Sequence, residues 1–526
     1  MLLTVASTAG SVSAAGQSTS EGDWATWQKD LFGSRYAAAE HRIDARNVKN
    51  LKLKWAFAYP KTESTFVRSE PAVVGNTVYF GGSDGKFYAR NAGNGAAKWE
   101  FDLKSVDPEN HCADRPPNSA TTCIMVWDAP TVAEGKVYFG DARGYFYALD
   151  ARTGALSWSA RIDTHPYATV TSSPIFYKGR VYIGVSSLEN GAGRDYACCT
   201  FRGHLDSLDA RTGELKWRYY TVPEPKRIGT WPSGAPMFGP SGVGVWSSPV
   251  IDPRTGTLYV GTGQNYSGSG GDVDTMLALD ARTGGVRWKN QVTDSDTWRM
   301  LCWDPDPTGY CPGLAEGTAN DYDIGGTPNV FVAGDRTLVG VGQKTGVYHV
   351  FDARTGEVVW RRLLGEPQAN GGQGGIQWGA SYDGKSLYIA TYYANPGKLF
   401  AVNPANGDVR WQTPNPADGC TTGGAAQYPA ICVRAHGPAA SSSPGLVWEG
   451  SNDGKFRAYD AKNGQVLWTF DTIRNFTGVN GIEGMGSAIT GTGGGAVISN
   501  GMVYVQSGYW PEYSTDKGHV LLAFGL

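Results

Sequence analysis

At 526 residues the chain is long enough for several domains, and its 46 Lys and Arg nearly balance 49 Asp and Glu, for a net charge of −3. That balance gives no footing for nucleic acid or an anionic membrane surface as partner, and no apolar run reaches the roughly 18 residues that a membrane helix needs. With 72 Gly, 18 Trp and 27 Tyr, the composition points to aromatic strands joined by tight turns rather than to helices.

The chain opens on "MLLTVASTAGSVSAAGQS", small and mildly apolar, ending in "SAAG" but without a basic start. Residues 1–20 read as a shortened export signal or a leader, and residues 21–526 as one domain. "DWATWQKDLFGSRYAAAEHRIDARNVKNLKLKW" then leads to Trp55. From there a unit recurs: "NAGNGAAKW" ends at Trp99, "DARTGALSW" at Trp158, "DARTGELKW" at Trp217 and "DARTGGVRW" at Trp288. It returns as "DARTGEVVW" at Trp360, "NPANGDVRW" at Trp411 and "DAKNGQVLW" at Trp468. Repeats are read before any local element.

Each copy has an alternating two-strand hairpin, a turn whose Gly supplies φ > 0, and a last strand carrying Trp. With a preceding strand of the "SSPVI" or "DAPTV" type, each unit has four strands. Such a sheet cannot cover both faces alone, and radial stacking gives a β-propeller with Trp wedged between sheets. Eight blades close if the Trp55 strand completes the sheet begun by "GMVYVQSGY" and "HVLLAF"; seven blades with an irregular extension is the alternative. The expected fold is all-β, an eight-bladed propeller.

Eight cysteines are present. Cys112 and Cys123, Cys302 and Cys311, and Cys420 and Cys432 each flank a Pro- or Gly-containing loop and suit local staples of an oxidising compartment. No CxxC pair suggests zinc, and no CxxCH suggests covalent haem. Cys198 and Cys199 remain. Neighbouring Cα atoms lie about 3.8 Å apart across a trans peptide, whereas a relaxed disulfide takes roughly 4.4–6.8 Å, so joining them makes a small stiff ring. Metal ligation or unrelated buried thiols compete with that reading, but with the other six cysteines assigned, a vicinal disulfide is favoured.

The Trp repeats, the lead-in before Trp55, and "CCTFRG", "VWSSPVID", "GTGQNYS", "GQKTGVYHVFD", "GGIQWGA" and "GVNGIEGMGSAITGTGGG" resemble the quinoprotein dehydrogenases. These are eight-bladed propellers that use pyrroloquinoline quinone (PQQ) and a metal ion. The resemblance implies calcium, or a lanthanide, held by Glu189, Asn265 and Asp321. The first acid of "NDYD", Asp321, matches the family's base, and Asp323 matches an extra ligand of lanthanide-using relatives. Two acids two residues apart in extended chain point the same way, and hard oxygen donors suit calcium.

For the cofactor, the resemblance implies Trp246 as the floor and the Cys198–Cys199 ring as the ceiling, with Trp127 as a second candidate for that ceiling. Lys344 matches the cation at the reactive carbonyls. Thr171, Ser187 and Arg202 match groups that bind the quinone's carboxylates, with Trp378 and Asn480 as further cofactor candidates. Arg68 stands where the family has Glu, and as an arginine suits a carboxylate. Read singly, each of these residues has a duller reading as a turn or packing group.

The implied reaction is oxidation of alcohols, secondary hydroxyls and those of polyvinyl alcohol included, to carbonyls. Asp321 takes the hydroxyl proton, Lys344 stabilises charge on the quinone oxygens, and electrons leave to a separate acceptor such as a cytochrome c. The implied location is periplasmic or secreted. The alternatives are a different small alcohol, sugar or hydroxylated natural product as substrate, or a non-catalytic envelope scaffold.

Overall fold

The computed structural model describes residues 20–62, 67–107, 124–367, 372, 374–392, 395–491, 494–508 and 518–526. The expected leader falls almost wholly outside these, and the expected Cys112–Cys123 pair lies outside them. Eight antiparallel sheets of four main strands stand around one axis. Blade 1 runs Ala72–Val74, Thr77–Gly81, Lys86–Asn91 and Ala97–Asp102. Blade 8 joins Val497–Ser499, Met502–Ser507 and the C-terminal Val520–Gly525 to Lys52–Ala58, which carries Trp55. The first and last strands of the chain thus share a sheet, with Trp55 opposite Ala523, and the ring closes at eight.

The repeated turn explains the outer contacts. In "DARTG" of blade 2, Asp150 Oδ1 accepts the N–H groups of Arg152 and Thr153 at 3.1 and 2.8 Å, and Gly154 takes φ 74°. A Cβ on Gly154 would meet the Trp99 ring of blade 1 at 2.6 Å, so glycine is required both by φ and by the approaching indole. Trp99 Nε1 donates to Ala151 O at 3.1 Å. The same dock recurs for Trp55, Trp158, Trp217, Trp288, Trp360 and Trp411, whose Nε1 groups donate to Ala92, Ala210, Ala281, Ala353, Pro404 and Ala461. Trp468 differs. Blade 8 is assembled from both ends of the chain and has no such turn to offer, so Trp468 packs edge-on against Phe524, 5.4 Å between centroids.

A second repeat lies nearer the axis. At the inner end of each blade, the N–H of an incoming residue donates to a carbonyl on the preceding blade. The eight donors are Val67, Val126, Val170, Val245, Ile324, Ile376, His436 and Ile489. Their acceptors, in order, are Gly508, Gly82, Asp141, Val185, Thr262, Gln343, Thr391 and Ser451, all at 3.0–3.2 Å. Where glycine precedes the acceptor, its bare Cα receives the donor's branched side chain: a Cβ on Gly81, Gly140, Gly261, Gly342 or Gly450 would lie 2.2–2.3 Å from Val126, Val170, Ile324, Ile376 or Ile489. These eight bonds fix equivalent positions around the axis.

The segment before Trp55 does more than lead into a strand. Residues 22–37 thread past the first strands of all eight blades. Trp24 exchanges backbone bonds with Val73, and Ala25 O accepts from Val132. Thr26 Oγ1 lies 3.3 Å from Pro174 O, and Gln28 Nε2 donates to Pro249 O at 2.8 Å. The carbonyls of Leu31, Phe32, Ser34 and Arg35 accept from Ile251, Val330, Tyr382 and Ser442, and Ser499 Oγ donates to Gly22 O. Its Trp27 side chain packs with Trp246 and Trp378 and donates to Thr327 Oγ1 at 2.9 Å. The axial channel is therefore plugged on one side.

Candidate active site

The residue following each interblade donor stands on the axial ring, and this ring includes Arg68, Trp127, Thr171 and Trp246. Beside Trp246, Gly325 is forced small: a Cβ there would lie 1.9 Å from the indole. Two residues beyond Gly342 comes Lys344, buried to 6 % exposure. Its Nζ lies 2.9 Å from Asp321 Oδ1 and 2.8 Å from Asp323 Oδ2, and 5.2 Å from the Trp246 ring centroid. Trp246 Nε1 donates to Asp323 Oδ2 at 3.1 Å, and Gln264 N to Asp323 Oδ1 at 2.7 Å. The two acids of "NDYD" do point the same way, onto one ammonium.

Asp321 sits at φ 55°, a costly left-handed conformation for a non-glycine residue. Asp296, which no motif reveals, holds it there by accepting the successive N–H groups of Asn320, Asp321 and Tyr322. Burial pushes the Asp321 carboxyl well above the ordinary carboxylate range; Lys344 opposes this, and Asp323 and Asp296 add to it. Burial also raises Asp296 to about 7. Lys344 is held above its ordinary value because the two acids outweigh its burial.

Glu189 is fully buried, and its two carboxylate oxygens accept Thr200 N and Phe201 N, each at 2.8 Å. His165 Nε2 is 3.4 Å from Oε1. Glu189 lies within 4.8 Å of both sulfurs of Cys198 and Cys199. Those two are disulfide-bonded across a cis peptide, with Cα atoms 3.0 Å apart, not the spacing of a trans link. Both are fully buried among Trp231, Tyr266 and Tyr310. Disulfides also join Cys302 to Cys311 and Cys420 to Cys432.

Between the two acidic groups lies the "GTGQNYS" loop. Tyr266 OH donates to Ser187 O at 3.0 Å, Asn265 Nδ2 bonds Gly270 O, and Asn265 Oδ1 is buried with no protein partner. Ser187 Oγ accepts Glu189 N at 2.9 Å. The structure does not draw Glu189, Asp321 and Asp323 into one group with all carboxylate oxygens within 4.8 Å; Lys344 and the Thr200–Phe201 backbone hold them instead.

The remaining expected residues divide. Arg68 lies with its guanidinium carbon 3.5 Å from the Trp127 centroid, and Trp378 packs edge-on to Trp246 at 5.4 Å. Thr171 Oγ1 is buried without a partner. Arg202 donates to Val222 O and lies over Tyr220 at 3.6 Å. Asn480 Nδ2 donates to Ala58 O at 2.7 Å and clamps the Lys52–Ala58 strand.

Residues 24–307 match the PQQ family model described as glucose/ethanol/alcohol dehydrogenase, beta-propeller domain; residues 235–427 and 343–498 match that of the outer membrane protein assembly factor BamB. A polyvinylalcohol dehydrogenase from Pseudomonas sp. is 31% identical over 96% of this chain and 77% of its own length. A quinohemoprotein alcohol dehydrogenase from Pseudomonas putida HK5 superposes with TM-score 0.70 at 21% identity, over 96% of this chain and 80% of its own. A europium-containing methanol dehydrogenase gives 0.67 at 20% identity, over 96% and 98%. The chain belongs to the PQQ-dependent dehydrogenase family of β-propellers.

The ring fits that cofactor. A flat polyanion suits an indole floor, an ammonium and the unpartnered buried hydroxyl of Thr171, and the oxygens of Glu189, Asn265, Asp321 and Asp323, that of Asn265 unpartnered, suit a hard cation.

Proposed function

We propose that the chain oxidises alcohols to carbonyls with PQQ seated on the axial ring, passing electrons to a separate acceptor. The observation that carries this reading is the buried Lys344 ammonium bridging Asp321 and Asp323 beside the Trp246 indole. A buried charge group of this kind is expensive to hold, and a purely structural propeller needs the Trp docks but not this centre. Bound PQQ supplies the two-electron acceptor, and a bound calcium or lanthanide ion supplies Lewis acidity.

The chain's own residues do the rest. Asp321, once ionised, accepts the substrate hydroxyl proton. Lys344 supplies positive charge beside the position where oxygen charge grows. Trp246 supports the planar group from one face, while Trp27 and the axial segment close that side to water. The Cys198–Cys199 ring is assigned the opposite face. Glu189, Asn265 and Asp321 would hold a calcium ion, and Asp323 would add a ligand for a lanthanide. The polyvinylalcohol dehydrogenase relative favours secondary hydroxyls as substrate, polymeric ones included. The two loop disulfides support an oxidising, extracytoplasmic compartment, and among the described residues no helix is long and apolar enough to cross a membrane.

The test is reconstitution of the apo-chain with PQQ plus calcium or lanthanum, followed by a screen of small alcohols, sugars and polyvinyl alcohol with a dye acceptor. Alcohol-dependent dye reduction that requires both additions is expected. Its absence with all three substrate classes overturns the reading.

A further inference from the structure

The eight interblade bonds make positions on different blades directly comparable. Lys344 follows the acceptor Gln343 by one residue; on blade 7 the same place after Ser451 is Asn452, and on blade 1, after Gly82, it is Ser83. Likewise Trp246 and Thr171 follow the donors Val245 and Val170, and Thr490 follows the donor Ile489. Asn452, Thr490 and Ser83 therefore occupy, on the adjoining blades 7, 8 and 1, the axial stations that carry the candidate cofactor contacts on blades 3, 4 and 5.

All three are buried, at 1, 1 and 3 % exposure. Asn452 Nδ2 and Oδ1, Thr490 Oγ1 and Ser83 Oγ are each without a protein hydrogen-bond partner. Buried polar groups left unpaired are costly, and each points to an occupant that is not protein. Gly437 admits both side chains: a Cβ there would meet Thr490 Oγ1 at 1.8 Å and Asn452 Oδ1 at 2.9 Å, so the two polar groups converge over its bare Cα.

We infer that Ser83, Asn452 and Thr490 form a further wall of the axial seat and hydrogen-bond the oxygens of PQQ. One amide and two hydroxyls make a neutral wall that donates to carbonyl or carboxylate oxygens, and it complements the charged wall of Lys344, Asp321 and Asp323 across the ring. This inference rests on the cofactor reading proposed above.

The test titrates PQQ into the apo-chain and follows tryptophan fluorescence, with no turnover required. The variants are Asn452→Leu, Thr490→Val, Ser83→Ala and Gly437→Ala, with Trp246→Ala as a control at the floor. A hydrogen bond to a charged group is worth about tenfold or more in affinity, so Asn452→Leu and Thr490→Val are each expected to weaken PQQ about tenfold. Gly437→Ala should do the same by displacing Thr490 Oγ1 and Asn452 Oδ1. Thermal melting of each apo-variant separates loss of contact from loss of fold. Should Asn452→Leu fail to fold, Asn452→Asp keeps the shape and sets a negative charge against an anionic ligand, and should weaken binding further still. Affinities unchanged within about twofold, while wild type binds and Trp246→Ala weakens, overturn the wall. A wild-type chain that does not bind PQQ overturns the functional reading itself, and the wall with it.

Discussion

Lys344 Nζ stands 2.9 Å from Asp321 Oδ1 and 2.8 Å from Asp323 Oδ2, all three buried. One ammonium thus serves two acids held away from bulk water. Removing it leaves uncompensated buried charge, which costs about 3–5 kcal/mol where one partner of a buried pair is lost. Lys344→Ala should therefore lower the thermal midpoint of the apo-chain. If the same acids are metal ligands, millimolar calcium or micromolar lanthanum should restore much of that loss, because a cation again sits between them. A lowered midpoint that neither ion raises counts against Asp321 and Asp323 as ligands.

A base works only when ionised, and burial lifts Asp321 above the ordinary aspartate range against the pull of Lys344. In the metal-free chain the Asp321 carboxyl, followed by its infrared absorption, should therefore ionise over a limb that lies above the pH at which an exposed aspartate titrates. Lys344→Met removes the cation that favours the carboxylate, so the limb should move to still higher pH. A limb that stays in place would assign the titration to another group.

Blade 3 carries a pH-dependent clamp of its own. His204 Nε2 lies 2.9 Å from Asp163, and Nδ1 2.9 Å from Asp206, which Arg218 also grips at 2.7 Å. Burial pulls His204 down, but the two acids outweigh it and raise it. Burial raises Asp163 and Asp206, but His204 outweighs it for both, and both end lowered. The His204 contribution is present in full below the unfolded histidine value of about 6.5 and fades as pH rises through the raised folded value; that of the acids is present above about 3.9 and fades as pH falls. Thermal midpoints should be highest between those limits and decline on the alkaline side, and His204→Gln should flatten that decline. A midpoint profile unchanged by His204→Gln would show that the clamp is silent.

The tryptophan docks are predicted to hold blades together without touching chemistry. Trp158→Ala removes a buried indole, a change worth about 3–5 kcal/mol in a core. Gly213→Ala should also destabilise, since its Cβ would sit 2.6 Å from the Trp158 ring and its φ is 77°. Both should lower the melting temperature and leave KM for alcohol unchanged. A raised KM with no change in melting would reverse the assignment.

The fold was legible because its signal is local and repeated: one turn and one indole recur within nine residues, each dictated by side-chain identity. The closure at Trp55 followed from the same pattern. The interblade bonds were not read from the sequence, since their residue pattern, a valine or isoleucine donor facing a glycine before the acceptor, pairs segments far apart in the chain. Nor was the plug at residues 22–37, whose contacts are mostly backbone carbonyls. At the site, the alternation of "NDYD" foretold that Asp321 and Asp323 share a side, and the adjacent cysteines foretold a bonded pair. Asp296 escaped because it supports a backbone 25 residues away through three N–H groups. The carbonyl partners of Arg202 and Asn480, Val222 and Ala58, were not legible either, because position in a loop does not fix where a polar side chain finds its nearest carbonyl.

The most direct measurement is a paired assay of wild type and Asp321→Asn, recording PQQ affinity by fluorescence titration and dye reduction with a secondary alcohol. The substitution keeps shape and removes the base, whose contribution in general-base catalysis is about 10²–10⁴-fold. PQQ affinity should stay within about threefold of wild type, and turnover should fall by at least about a hundredfold. Turnover equal to wild type, with PQQ bound, would contradict the assignment of Asp321 and with it the proposed reaction centre.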